Sequence, residues 1–303
     1  MTNHFDVIVL WGHKLHSHTH SYIHYAFHKA FTFMGYNCLW LDNDDNISHI
    51  NLNNALFITE GQVDQNIPIR SDGTYLLHNC DGSKYVNVKA KYNMQTITNT
   101  SLNLYKHTKL TDYAYYCGDC FTLCWATDLL PEEINKNIEN IKNNNNYISN
   151  EIKELNFVGM PTGPWDSVKL WCTQNNITYN QCGGFSNNVS MEKSIELIKN
   201  SVIAPAIQEP WQVENGYIPC RIFKNISYGK IGITNNKFVY DVFKNDDVEL
   251  IYDDNIFNLL DKAMECKNDK DLLVKQMEYV RDNHTYINRI YSLFEFLEIM
   301  SRL

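Results

Sequence analysis

Four consecutive stretches decide the fold class: Phe5-Asp6-Val7-Ile8-Val9-Leu10-Trp11, a polar loop over 12–19, residues 21–34, and Asn37-Cys38-Leu39-Trp40-Leu41. The first is almost continuously apolar, as suits a parallel strand covered on both faces. In the third, apolar residues at 23, 26, 27, 30, 31 and 34 recur at helical spacing and stop at Gly35. The fourth reads as a second strand. Strand, loop, helix and strand in that order open an α/β domain.

Outward from this unit, 55–59, 75–78 and 121–125 read as further strands. From 131 to 150 the chain becomes polar and Asn-rich, which reads as a connector. The alternation then restarts, with strands over 156–159, 177–179, 202–205 and 230–233 and helices over 167–174, 191–200 and 216–228. The tail from 255 carries two or three amphipathic helices. Two runs of strand–helix units joined by a polar linker predict two Rossmann-like domains facing each other.

Of the 303 residues, 44% are hydrophobic, enough for a sizeable core. The net charge of −9 argues against a sequence-independent nucleic-acid binder, which needs surplus cations to displace phosphate counterions. An anionic ligand would therefore need a local cationic pocket. No apolar run approaches the roughly 18 residues that span a bilayer, and the first residues lack a basic export signal. The nine cysteines form no disulfide framework. Cys117-x2-Cys120 lacks the second pair a zinc knuckle wants, so free thiols are expected. Together these features predict a soluble protein of the reducing cytoplasm.

The segment from Glu209 through Pro210, Gly216, Pro219, Arg221 and Gly229 to Asn235 is the sharpest. It sets a glycine at a helix start, an arginine within two turns, a helix-ending glycine, and a strand finishing in Thr234-Asn235. In an open sheet this brings backbone N–H groups and a guanidinium to the carboxyl edge, where phosphates bind. The stretch ENGYIPCRIFKNISYGKIGITNN resembles the donor-binding helix and following strand of GT-B-fold glycosyltransferases. The resemblance covers mainly 156–236. It implies that Arg221 faces a nucleotide diphosphate and that Thr234 and Asn235 approach the donor, with Glu209, Glu214, Asn215, Gly216, Tyr217 and Ile218 around them. Lys224 departs from the pattern, standing where many members have a hydroxyl-gripping glutamate. The loop holding Gly159, Thr162 and Gly163 faces donor and acceptor in that family.

The loop after the first strand, Gly12-His13-Lys14-Leu15-His16-Ser17-His18-Thr19-His20, offers imidazoles suited to general-base work near neutral pH. In the resembled family this loop faces the acceptor, which implies His18 or His20 as base, with His16 and Ser17 binding. Glu60, His78 and Asp81 follow later strands and are acceptor-side candidates. The alternation His16-x-His18-x-His20 also resembles the metal pair of amidohydrolase-like and PHP phosphoesterase enzymes, with His78 and Asp81 as further ligands. Asp42-Asn43-Asp44 fits a D-x-D metal pattern, and equally an ordinary polar turn.

The expectation is an α/β, GT-B-like protein. Residues 1–152 form the acceptor-side domain and 153–283 the nucleotide-sugar domain, with a final helix over 284–303 returning to the first, as the resemblance implies. The expected activity is glycosyl transfer from a UDP- or GDP-sugar to a glycan or other hydroxyl acceptor, with no obligatory metal or cofactor. The alternatives are a divalent-metal hydrolase built on the histidine loop and a non-catalytic nucleotide- or sugar-binding protein.

Overall fold

A computed structural model describes residues 5–14, 19–98, 107–144, 152–160, 163–183, 189–244 and 248–303. The described chain is mixed α/β with one large, mostly parallel sheet and ten α-helices. It divides into two compact units: Met1–Ile97, Ser101–Cys124 and Tyr286–Leu303 form the first, and Thr98–Thr100 with Trp125–Thr285 form the second.

In the first unit, β1 (Val7–Trp11), α1 (Thr19–Phe33) and β2 (Cys38–Leu41) realise the opening unit. Then come β3 (Ala55–Glu60), β4 (Thr74–His78), β5 (Ala90–Thr96), β6 (Thr108–Thr111), β7 (Ala114–Cys117) and β8 (Cys120–Leu123). The sheet order is β2-β1-β3-β4-β5-β8-β7-β6. The first six strands in that order are parallel, and β7 runs against them, pairing antiparallel with both β8 and β6. Strands β1 and β3 are buried throughout, as their continuous apolar runs require. The chain leaves β1 towards β2 and later returns to its other side as β3. The connectivity thus reverses between the carboxyl ends of β1 and β3, where open α/β sheets bind ligands.

The helix α10 (Tyr286–Arg302) closes this unit's core. Phe294 stacks on Phe5 and meets Phe31 and Tyr36, while Phe296 packs on Phe121 and Tyr92. The buried Arg289 donates from Nε to Cys124 O at 2.7 Å.

The second unit holds α2 (Pro131–Asn143), β9 (Glu154–Val158), α3 (Trp165–Gln174), β10 (Thr178–Cys182), α4 (Met191–Lys199), α5 (Pro210–Glu214) and α6 (Cys220–Ser227). It continues with β11 (Ile233–Thr234), α7 (Lys237–Lys244), β12 (Ile251–Tyr252), α8 (Ile256–Cys266) and α9 (Lys270–Asn283). Strands β9 and β10 pair in parallel, as do β11 and β12. The stretch expected as a strand over 202–205 is not one. It bridges the two pairs through Val202 N to Glu154 O and Ala206 N to Ile233 O. Trp165, Trp171, Leu259 and Leu260 fill the core around it.

Two expectations are corrected here. The polar connector is instead the helix α2, whose Ile134, Ile138 and Ile141 are buried and which packs on α9. The division therefore falls at 124/125 rather than 152. The helix expected from Gly216 begins at Cys220: Gly216, at φ 63°, turns the chain after α5, and Pro219 is the N-cap.

Candidate functional site

The carboxyl edge of the first unit's sheet gathers imidazoles and a carboxylate. Gly12 (φ 93°) and His13 (φ 62°) turn the chain sharply out of β1. A Cβ on Gly12 would lie 2.1 Å from Val63 Cγ2, so the loop passes only as glycine. His13 O accepts from Ser21 Oγ at 2.7 Å, which ties the turn to the start of α1. His20 and His24, four residues apart on α1, share a helix face. Glu60 and His78 are register partners at the ends of β3 and β4, so their side chains leave the same side of the sheet.

These placements converge. His13 Nε2 lies 3.1 Å from Glu60 Oε2, both side chains being almost fully buried. The His20 ring stacks on His13 at 5.2 Å and meets His78 at 5.5 Å, while His24 stands edge-on to His13. His13, His20 and Glu60 each offer a donor atom, all within 4.8 Å of one another. His24 donates from Nδ1 to Gly12 O at 3.0 Å and His78 from Nδ1 to Met94 O at 2.9 Å. Burial, then the charge of His13, pushes the His24 imidazole down to about 3, so that ring is neutral at physiological pH. Gln62 N donates to Glu60 Oε2 at 3.0 Å. Half-buried His20 is the cluster's more accessible donor, beside the buried His13 and Glu60.

In the second unit, Arg221 lies in the first turn of α6, at the carboxyl end of β9. Its Nη2 donates to Val158 O at 3.1 Å, and its guanidinium lies 4.2 Å from the centre of the Phe157 ring. Gly159 (φ 138°) makes room for it, since a Cβ there would lie 2.3 Å from Nη2. Among the described residues no carboxylate forms an ion pair with Arg221. Burial lowers its pKa below the ordinary guanidinium value, a direction that favours an anionic partner. Arg221 and Asn225 line a recess with Phe157, Val158 and Pro205. In it, Asn225 is 3% exposed and its Oδ1 has no hydrogen-bond partner among the described residues.

Of the expected site residues, His20, Glu60 and His78 come together, and Gly159 meets Arg221. Gly163 packs on the backbone of Glu209, the N-cap of α5. Asp81 stands apart, capping a short 3₁₀ turn through Ser83. Glu214 and Asn215 end α5, with Asn215 Nδ2 donating to Trp211 O. Ile218 is core. Thr234, Asn235 and the backbone of Tyr217 belong to a network with Gln208 and Asn236 that braces the loops. His16, Ser17, His18 and Thr162 lie outside the described residues. Lys224 faces Asp128 at 4.0 Å, beside the Tyr228 hydroxyl that donates to the same carboxylate. Asp42 braces a turn, accepting from Lys14 N and Asn43 N.

His13, His24 and Asn225 were not singled out from sequence. His24 had a signal, its i+4 spacing from His20 on an otherwise apolar helix face. His13 had only its nearness to the end of β1. Compared with the profiles of known protein families and with characterised proteins, the chain matches none.

Proposed function

We propose that the protein is a glycosyltransferase of GT-B-like organisation, moving a sugar from a nucleotide diphosphate to a hydroxyl acceptor. The observation that carries this is Arg221, a half-buried guanidinium without a carboxylate partner among the described residues, at the carboxyl end of a parallel strand and beside a glycine whose positive φ leaves room for it. Its bond to Val158 O uses one of five N–H groups, and the others suit a diphosphate. As the donor's glycosidic bond breaks, negative charge grows on the leaving diphosphate, and a fixed guanidinium stabilises that charge without reorganising. The first amides of α6 add partial positive charge on the same side.

The acceptor hydroxyl must lose a proton, and the histidine–glutamate cluster of the first unit is suited to take it. Glu60 holds His13 by a charge-assisted bond, while His20 provides the more accessible imidazole.

Thermal unfolding in the presence of UDP, GDP and their sugars tests the donor assignment. At about 100 times Kd a bound nucleotide adds about 2.7 kcal/mol, a shift on the order of 5 °C. Arg221→Ala should abolish that shift, and Arg221→Lys should keep only part of it because bidentate contact is lost. No shift with any nucleotide, or a full shift in Arg221→Ala, would rule the assignment out.

A further inference from the structure

We propose that His13, His20 and Glu60 form a binding site for one divalent transition-metal cation of the zinc type, with a fourth position open to an oxygen ligand. This stands independently of the donor site in the second unit. Three observations carry it.

First, the donor set is right: two imidazoles and a carboxylate, without thiolates, is the combination of open zinc sites. Second, the spacing is right. Tetrahedral zinc with bonds of about 2.05 Å puts neighbouring ligand atoms about 3.3 Å apart. His13 Nε2 and Glu60 Oε2 already lie 3.1 Å apart, and all three donors fall within 4.8 Å. His20, half-buried in the first turn of α1, supplies the third donor.

Third, the surroundings are built around the set. The pair is almost fully buried at the point where the sheet's connectivity reverses, and one ligand, His13, is held at φ 62°. Left-handed backbone at a histidine is uncommon and gathers at functional sites. Glu60 is oriented by the Gln62 amide, as ligating carboxylates usually are. His24 and His78 pack around the set with their Nδ1 atoms committed to backbone carbonyls, and so shape its walls. A cation here would lower the pKa of the oxygen ligand that fills its fourth position, and His13 and His20 would then serve as ligands rather than take a proton themselves.

The test uses the full chain, stripped with a chelator and dialysed. Zn²⁺ titration by calorimetry should give one site with Kd below about 10 μM. Co²⁺ should give the visible bands of a tetrahedral nitrogen–oxygen site without the near-ultraviolet charge-transfer band of thiolates. His20→Ala, at a half-buried position, and the near-isosteric Glu60→Gln should each weaken Zn²⁺ at least about tenfold while circular dichroism stays native. Cys117→Ser/Cys120→Ser should leave binding unchanged.

Absence of stoichiometric binding, a thiolate band, or undiminished affinity in either ligand variant would overturn the site. If the metal fails while nucleotides still raise Tm, the glycosyl-transfer proposal survives with a metal-free base. If the metal binds and nucleotides do nothing, only the donor assignment falls.

Discussion

A histidine in left-handed backbone costs on the order of 1 kcal/mol, and His13 is held there by its bond to Glu60, the Ser21 hydroxyl on its carbonyl, and complete burial. A buried lysine shows the opposite balance. Lys230 is 2% exposed, donates to Ser201 O, and is pulled from 10.5 down to about 7 by burial and then by the charge of Lys267. Between pH 7 and 10.5 the unfolded chain binds the proton that the folded one has released, so this residue makes stability rise with pH. Below pH 7 the ammonium is charged in both states and its penalty is constant. In urea unfolding, the change in stability from pH 7 to pH 8.5 should be roughly 1.5 kcal/mol more favourable in the natural protein than in Lys230→Met. Thiols whose pKa values are raised by burial pull the other way, because their unfolded counterparts begin to ionise at the upper end of that range, but they do so equally in Lys230→Met, so the difference between the two proteins reports Lys230. Residue-scale legibility follows chemistry at strand ends. Glu60 and His78 could be named because each closes an apolar run, whereas His13 depends on a backbone angle that no residue pattern announces.

Helices and strands were legible where burial is one-sided or complete. The β1-α1-β2 unit could be read because its apolar positions keep strict periods. Strands β5, β6 and β7 could not, because AKYNMQT and TKLT are polar, AYYC has only four residues, and all three are largely half-exposed or exposed. The misreading of α2 is more instructive. Its composition is that of a linker, yet isoleucines at 134, 138 and 141 hold helical spacing and all three are buried. Ile138→Ala should therefore cost about 2–4 kcal/mol in urea unfolding. A detached linker would lose less than about 0.5 kcal/mol. The start of α6 was misplaced for a related reason. Gly216 and Pro219 both suit helix starts, and only the chain's turn after α5 assigns the role to Pro219.

At the scale of the molecule, none of the described helices is long and apolar enough to cross a membrane. The first unit draws its core from both ends of the chain, since α10 supplies Phe294 and Phe296 to rings on β1, α1, β5 and β8 or their flanks. Deleting 286–303 should bare that aromatic face. Hydrogen exchange would then accelerate in the amides of β1, β3 and β4 while α8 and α9 keep their protection. Equal protection in the truncated chain would mean that the helix is dispensable to the unit it packs on. Arg289 makes the same dependence electrostatic, because its guanidinium bonds to the Cys124 carbonyl across 165 positions of sequence. A ribosome delivers α10 only after all of the second unit has emerged, so the nascent first unit must wait with an uncovered aromatic surface. That interval is when chaperone capture, or association with another unfinished chain, competes most strongly with correct closure.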